Sequence, residues 1–263
     1  MFKVEKFQVS QKWEAILSEA GLLDIEAVVG REFDWFETPN QRRGGWSGVS
    51  RIVLNPNVSP EDQKTVFLKI QQNHWFRAPN NFFRRHLTFE REIDAMTQIS
   101  SIVNCTPEVL LFGRWITGQD AWAVIITRSL DGWLPLNGWL LGKNGLVPPD
   151  QATLLKIFEA IASTSRQLNE AGWVHLSFSA KHLFVRPNKE AAYDICLIDY
   201  EKCRRHIFSG YRTIKDCSHF MRHTPKFSDA HKRYYLKSYF QTETFTPSQR
   251  RLIRKMKGAP KKI

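Results

Sequence analysis

The most constraining feature of the sequence is a polar loop, residues 175–182, that lies between two apolar segments. A segment with helical periodicity ends at Gly172, the loop opens with His175, and the apolar run 183–185 follows. After a turn, a second apolar run ends directly at Asp199. Short apolar runs bounded by turn residues are typical of buried strands. We therefore expect two neighbouring strands that hold a histidine-containing loop and an acidic residue side by side.

Composition restricts the class of protein and the kind of partner. The 263 residues are 42% hydrophobic and 24% charged, which is ordinary for a globular protein with a substantial core. The net charge of +12 favours an anionic partner, although a solvated basic surface explains it equally well. Because the sequence has no nucleic-acid reader motif and no zinc spacing, we expect a nucleotide or an acidic membrane surface rather than nucleic acid.

Two further observations concern the compartment. The four cysteines are scattered, without the short spacing of a zinc site, and we interpret them as reduced thiols of a cytosolic protein. The first residues carry charges where a signal peptide needs an apolar run, and no apolar stretch reaches the roughly 20 residues that span a bilayer. We expect a soluble protein that is at most peripheral to a membrane.

A glycine-rich stretch, residues 42–51, precedes a β-type run. Glycines such as Gly45 and Gly48, with Ser47 between them, allow backbone N–H groups to close over phosphates. A simple hairpin turn explains the same pattern, and short glycine patterns are common.

Two charged residues follow within apolar patterns. Lys69 lies in the β-type run 65–70, either as an edge-strand charge or as a phosphate-binding side chain. Helical periodicity over residues 88–99 places Glu92 beside the apolar face, so that it can point at the sheet, with Glu90 slightly further round. A surface pairing within the helix is the alternative for both glutamates.

The rest of the chain completes an ordered set of elements. Strands are predicted over residues 107–113 and 121–127, a connecting loop over 136–150, a long helix from about 149 to 172, and helix over 216–240. The last residues, 250–262, form a basic amphipathic tail that is either frayed or in contact with an acidic surface.

The order of these parts predicts an α+β protein-kinase-like fold with two lobes. Kinases contain the same parts in the same order: a glycine-rich turn, a strand lysine, a helix glutamate, a long helix, a histidine loop and an aspartate. The charged residues among them are needed because phosphoryl transfer requires cations around the γ-phosphate. The expected divisions are an N-terminal extension (1–39), an N-lobe (40–130), a C-lobe (131–245) and a basic tail (246–263).

At these residues the sequence resembles the lipopolysaccharide kinase family, the Kdo/heptose (WaaP-type) kinases and their InaA-type relatives. The resemblance covers roughly residues 40–240, and His182, where most kinases have asparagine, is its most specific mark. The motifs that carry it are Arg43-Gly44-Gly45-Trp46-Ser47-Gly48-Val49, Phe67-Leu68-Lys69, Phe89-Glu90-Arg91-Glu92, Ile126-Thr127, His175 with His182-Leu183-Phe184-Val185, Ile198-Asp199 and Lys215-Asp216.

The resemblance implies ATP and Mg²⁺ as cofactors and an anionic, lipid-linked sugar as acceptor, at the cytoplasmic face of the inner membrane. An anionic, membrane-anchored acceptor would also explain the basic aromatic stretch at residues 74–85. The alternative is that this stretch is a partly buried connector between a strand and a helix. By position, the nucleotide contacts would be Gly45, Ser47, Gly48, Lys69 and Glu92; the catalytic loop would contribute His175 and Ser177; the metal ligands would be Asp199 and His182; and Asp216 would buttress the loop.

Ser177 is the departure from the family pattern, because it stands where a kinase carries its catalytic aspartate. A serine hydroxyl can orient an acceptor but cannot serve as a base near neutral pH. Positioning and charge carry much of the rate of phosphoryl transfer, so a serine weakens catalysis without necessarily ending it. Two hypotheses follow: an active sugar kinase, or a nucleotide-binding pseudokinase with a regulatory or scaffolding role. Asp194 is a nearby acid that could substitute.

Overall fold

The computed structural model of the chain describes residues 2–42, 44–78 and 81–262, without the side chains of residues 2, 42, 77, 78 and 81–85. It divides into two compact units. Unit 1 consists of residues 1–93 and 107–131, and unit 2 consists of residues 94–106 and 132–263.

Unit 1 contains eight described strands, two complete helices and the start of a third. The strands are β1 (Phe2–Val9), β2 (Trp35–Arg42), β3 (Gly45–Val53), β4 (Thr65–Gln72), β5 (Trp75–Ala78), β6 (Asn81–Leu87), β7 (Val109–Thr117) and β8 (Asp120–Arg128). The helices are α1 (Glu14–Glu19), α2 (Ile25–Gly30) and α3 (Thr88–Ser100). Six strands form one antiparallel sheet in the order β1-β7-β8-β4-β3-β2, and β5 pairs with β6 as a separate hairpin.

The six-stranded sheet buries both faces. Val124 and Ile126 of β8 belong to the cluster that includes Trp13 and Leu17 of the N-terminal segment. Ala123 and Ile125, the alternate positions, belong to the cluster formed with Phe89 and Ile93 of α3. Successive side chains of a strand point to opposite faces, so a strand covered on both sides is apolar at every position. This explains the uninterrupted apolar run 121–126.

Unit 2 is mainly helical and carries two small sheets. Its helices are α4 (Leu136–Leu141), α5 (Gln151–Glu170), α6 (Ser209–His223), α7 (Asp229–Phe240) and α8 (Pro247–Arg254). Its strands are β9 (Leu134–Pro135), β10 (Trp173–Val174), β11 (Leu183–Pro187), β12 (Tyr193–Leu197) and β13 (Arg204–Arg205). The sheets have the orders β12-β11-β9 and β10-β13, and short 3₁₀ turns occupy residues 180–182 and 200–202. The predicted pair of strands around the histidine loop is confirmed as the β11–β12 hairpin.

Three sequence expectations differ from the structure. The loop predicted over residues 136–150 contains α4, whose Leu136 and Leu140 are buried. The single helix predicted over residues 216–240 is two helices, because the helix breaks between α6 and α7 at a segment that contains Pro225. Proline lacks an amide hydrogen and disfavours the helical conformation of the residue before it. The alternative of a frayed tail is wrong, because α8 is capped by Thr246 and buries Ile253.

Some predicted features fall outside the described part of the chain. Arg43 of the glycine-rich stretch is not described, and neither are Pro79 and Asn80 of the basic aromatic stretch. The side chains of residues 82–85 of that stretch also lie outside the description.

Candidate active site

The lysine and glutamate predicted to act together form an ion pair in unit 1. Lys69 lies in β4, which pairs on both sides, and its Nζ is 2.5 Å from Oε1 of Glu92 in α3. The Glu92 side chain is 3% exposed and that of Lys69 is 23% exposed. A buried carboxylate needs a paired cation, so the two side chains fix each other's positions. The edge-strand alternative for Lys69 and the surface-pair alternative for Glu92 are therefore both wrong.

Glu90, the neighbouring candidate, has a different task. Its Oε1 is 2.5 Å from Nη1 of Arg114, and its Oε2 accepts the backbone N–H of Leu87 at 2.8 Å. Glu90 thus ties the start of α3 to β7. The two glutamates divide into one that holds Lys69 and one that holds the helix.

The glycine-rich stretch adopts a conformation that differs from the expected turn. Gly45, Ser47 and Gly48 lie within β3, and the reversal of the chain precedes them. A Cβ atom on Gly45 would overlap the backbone of residues 72–73, and one on Gly48 would overlap the ring of Trp35. Close packing requires both glycines. β3 pairs with β4 without interruption, but its pairing with β2 is irregular next to Ser47, so that Gly48 is in register with Ile70 of β4 and with no residue of β2.

In unit 2, Asp216 anchors the histidine loop as the sequence predicted. This buried α6 carboxylate accepts the backbone N–H groups of His175 at 3.0 Å and Leu176 at 2.9 Å, and the side-chain amide of Asn169 at 2.9 Å. Burial raises the pKa of Asp216 to about 6, while these three donors lower it. The anchor holds Leu176 in the left-handed region, at φ 64°, a conformation that costs free energy for a non-glycine residue.

His175 is a neutral, fully buried positioning residue. Burial lowers its pKa to about 3, and the nearby His182 and His219 act in the same direction. Its Nδ1 accepts the backbone N–H of Ser177 at 3.3 Å, which leaves the proton on Nε2. Nε2 has no hydrogen-bond partner among the described residues. With no exposed surface, His175 does not reach a substrate; it holds the loop through Ser177 and packs against the ring of Tyr200, the residue after Asp199.

His182 and Asp199 form the candidate metal pair. Nδ1 of His182 lies 2.7 Å from the carbonyl oxygen of Ser177, and because a carbonyl only accepts, Nδ1 carries the proton. The other ring nitrogen, Nε2, lies 3.6 Å from Oδ2 of Asp199. Asp199 has φ 66°, again in the left-handed region. A strained backbone fixes the carboxylate opposite the imidazole.

Both backbone polar groups of Ser177 are hydrogen-bonded to histidine side chains of the loop. Its N–H donates to His175 and its carbonyl accepts from His182. Asp194, the acid considered as a substitute for the catalytic aspartate, pairs with Arg186 at 2.9 Å and with Asn188 at 3.2 Å. It precedes Asp199 by about five residues, which is roughly 16 Å of extended chain. The structure therefore assigns Asp194 to its own hairpin.

Three residues of this network were missed by sequence reasoning. Asn169 contacts Asp216, Arg212 donates to the carbonyl of Asn169 at 2.6 Å, and the hydroxyl of Tyr200 donates to the carbonyl of Cys105 at 3.0 Å. The Tyr200 ring packs edge-on against His175 with centroids 5.0 Å apart. Each contact joins residues distant in sequence, so no local pattern signals it.

The donor set for a cation is small. Among the described residues, no group of three or more His, Cys, Asp or Glu side chains could hold a metal ion. The four cysteines are buried and free, and burial raises the pKa of Cys105 to about 11. A bound cation would therefore rest on Asp199 and His182, with other ligands from phosphate and water.

Comparison with known proteins identifies the family. The model of the Lipopolysaccharide kinase (Kdo/WaaP) family matches residues 26–239. The chain belongs to this family. The predicted resemblance is thereby confirmed, and with it a kinase-like function.

Two relatives agree with the assignment. Protein InaA of Escherichia coli (strain K12) is 25% identical over 199 residues, which are 74% of this chain and 84% of that protein. The solved structure of WaaP in complex with acyl carrier protein covers 95% of this chain at 16% identity, with a TM-score of 0.63 and 92% of its own chain matched. This similarity confirms the predicted α+β, kinase-like fold. Within the described residues, no helix is long and apolar enough to cross a membrane.

Proposed function

We propose that this family member is an ATP-dependent phosphotransferase that phosphorylates a sugar hydroxyl of a lipid-linked glycan. The observation that carries the proposal is the His182–Asp199 pair. An imidazole Nε2 and a carboxylate oxygen that lie 3.6 Å apart are two atoms that one cation can bind together.

The pair fits a divalent cation by size and charge. Ligand distances of about 2.1 Å allow one ion to touch both atoms across 3.6 Å. Asp199 supplies the oxygen ligand that Mg²⁺ prefers. The imidazole nitrogen of His182 is a ligand that Mn²⁺ accepts more readily than Mg²⁺ does. Bound Mg²⁺ would supply charge neutralisation on the transferred phosphate. In this proposal Asp199 and His182 hold it, and His175 and Asp216 hold them in place.

We assign the phosphate contacts of unit 1 to side chains. Lys69, held by Glu92, would donate to the nucleotide phosphates, as a lysine does in kinases. Ser47 could add a hydroxyl from β3. Gly45 and Gly48 contribute by allowing the strand to pack closely, since a side chain at either position would displace β4 or Trp35.

The acceptor would lie beside the loop at Ser177, a residue that is itself only 3% exposed. A hydroxyl there can orient the attacking sugar oxygen without removing its proton, and positioning and charge would supply the remaining rate enhancement. The family and the net charge of +12 favour an anionic acceptor anchored in the inner membrane, and in this proposal the protein acts in the cytoplasm at the inner face of that membrane.

Label transfer tests the proposal. Purified protein is incubated with γ-labelled ATP, Mg²⁺ and a detergent-solubilised lipopolysaccharide core that contains Kdo and heptose. We expect labelled glycolipid from the wild type and at least a 100-fold lower rate from Asp199→Asn. Asp194→Asn, in the same hairpin, is the matched control and keeps its rate. Equal transfer by Asp199→Asn contradicts the proposal.

Ser177 favours a second candidate, a nucleotide-binding protein without turnover. In that case ATP–Mg²⁺ raises the unfolding temperature of the wild type, label transfer is absent, and Ser177→Asp restores measurable transfer. Rapid turnover by the wild type excludes this candidate.

A further inference from the structure

Two large apolar side chains are displayed at one turn of unit 2. Ile207 is 84% exposed and Phe208 is 66% exposed, and together they form what we call the apolar tip. The tip follows the short strand β13 and directly precedes α6. An isolated exposed apolar residue needs no explanation, but two adjacent ones of this size are exposed at a cost in hydration free energy.

The apolar tip is held rigidly. The buried guanidinium of Arg212 donates to the carbonyls of His206 and Ile207, at 3.2 Å for the latter, and its Nε donates to Asn169. The His206 ring stacks on Tyr211 with centroids 3.9 Å apart and an interplanar angle of 14°. The turn is therefore fixed by the same Arg212 and Asn169 that support the histidine loop. A rigid display reduces the entropy that is lost on binding.

Basic side chains surround the apolar tip in the sequence. Arg204 and Arg205 are exposed, and their guanidinium groups are oriented by Tyr211 at 3.1 Å and by the Trp173 ring at 4.9 Å. Residues 200–215 contain five Lys or Arg and one Glu, and all of the five except the buried Arg212 are exposed. The side chain of Lys215 in α6 is exposed, one turn beyond Tyr211, and its Nζ lies 5.3 Å from the centre of the Tyr211 ring.

The C-terminal helix adds charge beside the tip. Leu252 of α8 lies against Gly210, two residues after Phe208, so closely that a Cβ atom there would be 3.3 Å from it. The apolar side of α8 is used internally, because Ile253 is fully buried and Met256 nearly so. Its exposed side is basic: residues 247–262 contain seven Lys or Arg and no Asp or Glu. These residues lie beyond the family match, which ends at 239.

We propose that the apolar tip and the basic residues of β13 and α8 form a docking surface for an anionic phospholipid bilayer. Shallow insertion of Ile207 and Phe208 would bury their side chains at the headgroup boundary, while the arginines and lysines contact lipid phosphates. Two apolar side chains are too few for the core of an ordinary protein interface, whereas they are sufficient for interfacial insertion when several cations add to them. This inference deepens the proposed function, and rests on it for the identity of the membrane-anchored acceptor.

Vesicle flotation tests the surface directly. Full-length protein is mixed with phosphatidylcholine vesicles with or without phosphatidylglycerol. We expect flotation only with the anionic vesicles and a steep loss at high salt. Ile207→Asp and Phe208→Asp should each weaken vesicle binding roughly tenfold or more, and Arg251→Gln together with Arg254→Gln roughly fivefold per residue.

Val147→Asp is the matched control, because Val147 is 82% exposed and also lies in unit 2. It should float like the wild type. Unchanged flotation of the Ile207→Asp/Phe208→Asp double variant overturns the proposal, as does binding to neutral vesicles alone or no flotation. Capture of a second copy or of an acidic protein by the tip, without vesicle binding, also overturns it.

The two proposals fail in different assays. Label transfer to a detergent-solubilised acceptor does not need a bilayer, so a protein that transfers label but does not float refutes only the docking surface. A protein that floats but transfers no label refutes only the phosphotransferase.

Discussion

The backbone carbonyl of Ser177 and the Nδ1 atom of His182 lie 2.7 Å apart, so the residue in the aspartate position fixes the tautomer of the residue in the asparagine position. The contact uses the backbone of residue 177 and not its side chain, so it is independent of the serine. It turns Nε2 of His182 toward Asp199, 3.6 Å away, and this leads to the first prediction.

Replacing His182 by asparagine should change the preferred metal. An imidazole nitrogen is a softer ligand than an amide oxygen, so the wild type should use Mn²⁺ relatively better than His182→Asn does. We expect the ratio of Mn²⁺- to Mg²⁺-supported rates to fall roughly tenfold in the variant. Titration of Mn²⁺ by electron paramagnetic resonance measures its affinity without turnover. An unchanged Mn²⁺ affinity would remove His182 from the ligand set.

Neutralising Glu92 should impair use of ATP. Glu92→Gln keeps the shape of the side chain but loses the charge that holds Lys69 at 2.5 Å. We expect kcat/KM for ATP to fall on the order of 100-fold, since a misplaced phosphate donor weakens transition-state stabilisation. Asp94→Asn, an exposed position of the same helix, should retain the wild-type value. Equal kinetics for both variants would argue against the assigned role of Lys69.

Removing Asp216 should destabilise the protein strongly. Asp216→Ala leaves the N–H groups of His175 and Leu176 and the amide of Asn169 without their acceptor inside the protein. Unsatisfied buried donors cost about 1–3 kcal/mol each, so we expect a loss of about 3 kcal/mol or more in the free energy of unfolding, measured with urea.

Asp194→Ala is the comparison for that measurement. It breaks an exposed ion pair with Arg186 and should cost below about 1 kcal/mol. A similar small loss for Asp216→Ala would mean that the histidine loop is anchored by other contacts.

His175 should make the protein sensitive to acid. Its ordinary pKa is 6.5, and burial lowers the pKa to about 3 in the folded protein. Between these values the unfolded chain binds a proton that the folded protein does not, so stability is fully present above pH 6.5 and is lost as the pH falls. The slope approaches about 1.4 kcal/mol per pH unit.

His175→Asn isolates this contribution. Asparagine offers an oxygen to the N–H of Ser177 but does not titrate. The difference between the unfolding free energies of wild type and variant should therefore vary with pH only below 6.5, while contributions such as that of Asp216 cancel. Parallel pH profiles for the two proteins would contradict the neutral, buried state of His175.

The order of the site residues was predictable, whereas the supports around them were not. Periodicity placed Lys69 on a strand, Glu92 on the inner face of α3 and Asp199 after β12, because each depends on local pattern. The contacts of Asn169 and Tyr200 join elements far apart in the chain, and only the fold brings them together. The close packing of Gly45 and Gly48 was unpredictable for the same reason, because the neighbours that require them to be small lie on other strands.

The pairing of β1 with β7 has a consequence for how the chain folds during synthesis. Lys3 pairs with Ile116, so 113 residues (116 − 3) separate the two strands. Such non-local pairing slows folding, because a long loop must close before its contacts form. β1 is synthesised more than 100 residues before its partner β7. Until then the edge of β1 is open to other chains, and a chaperone that shields residues 2–9 would raise the yield of folded protein.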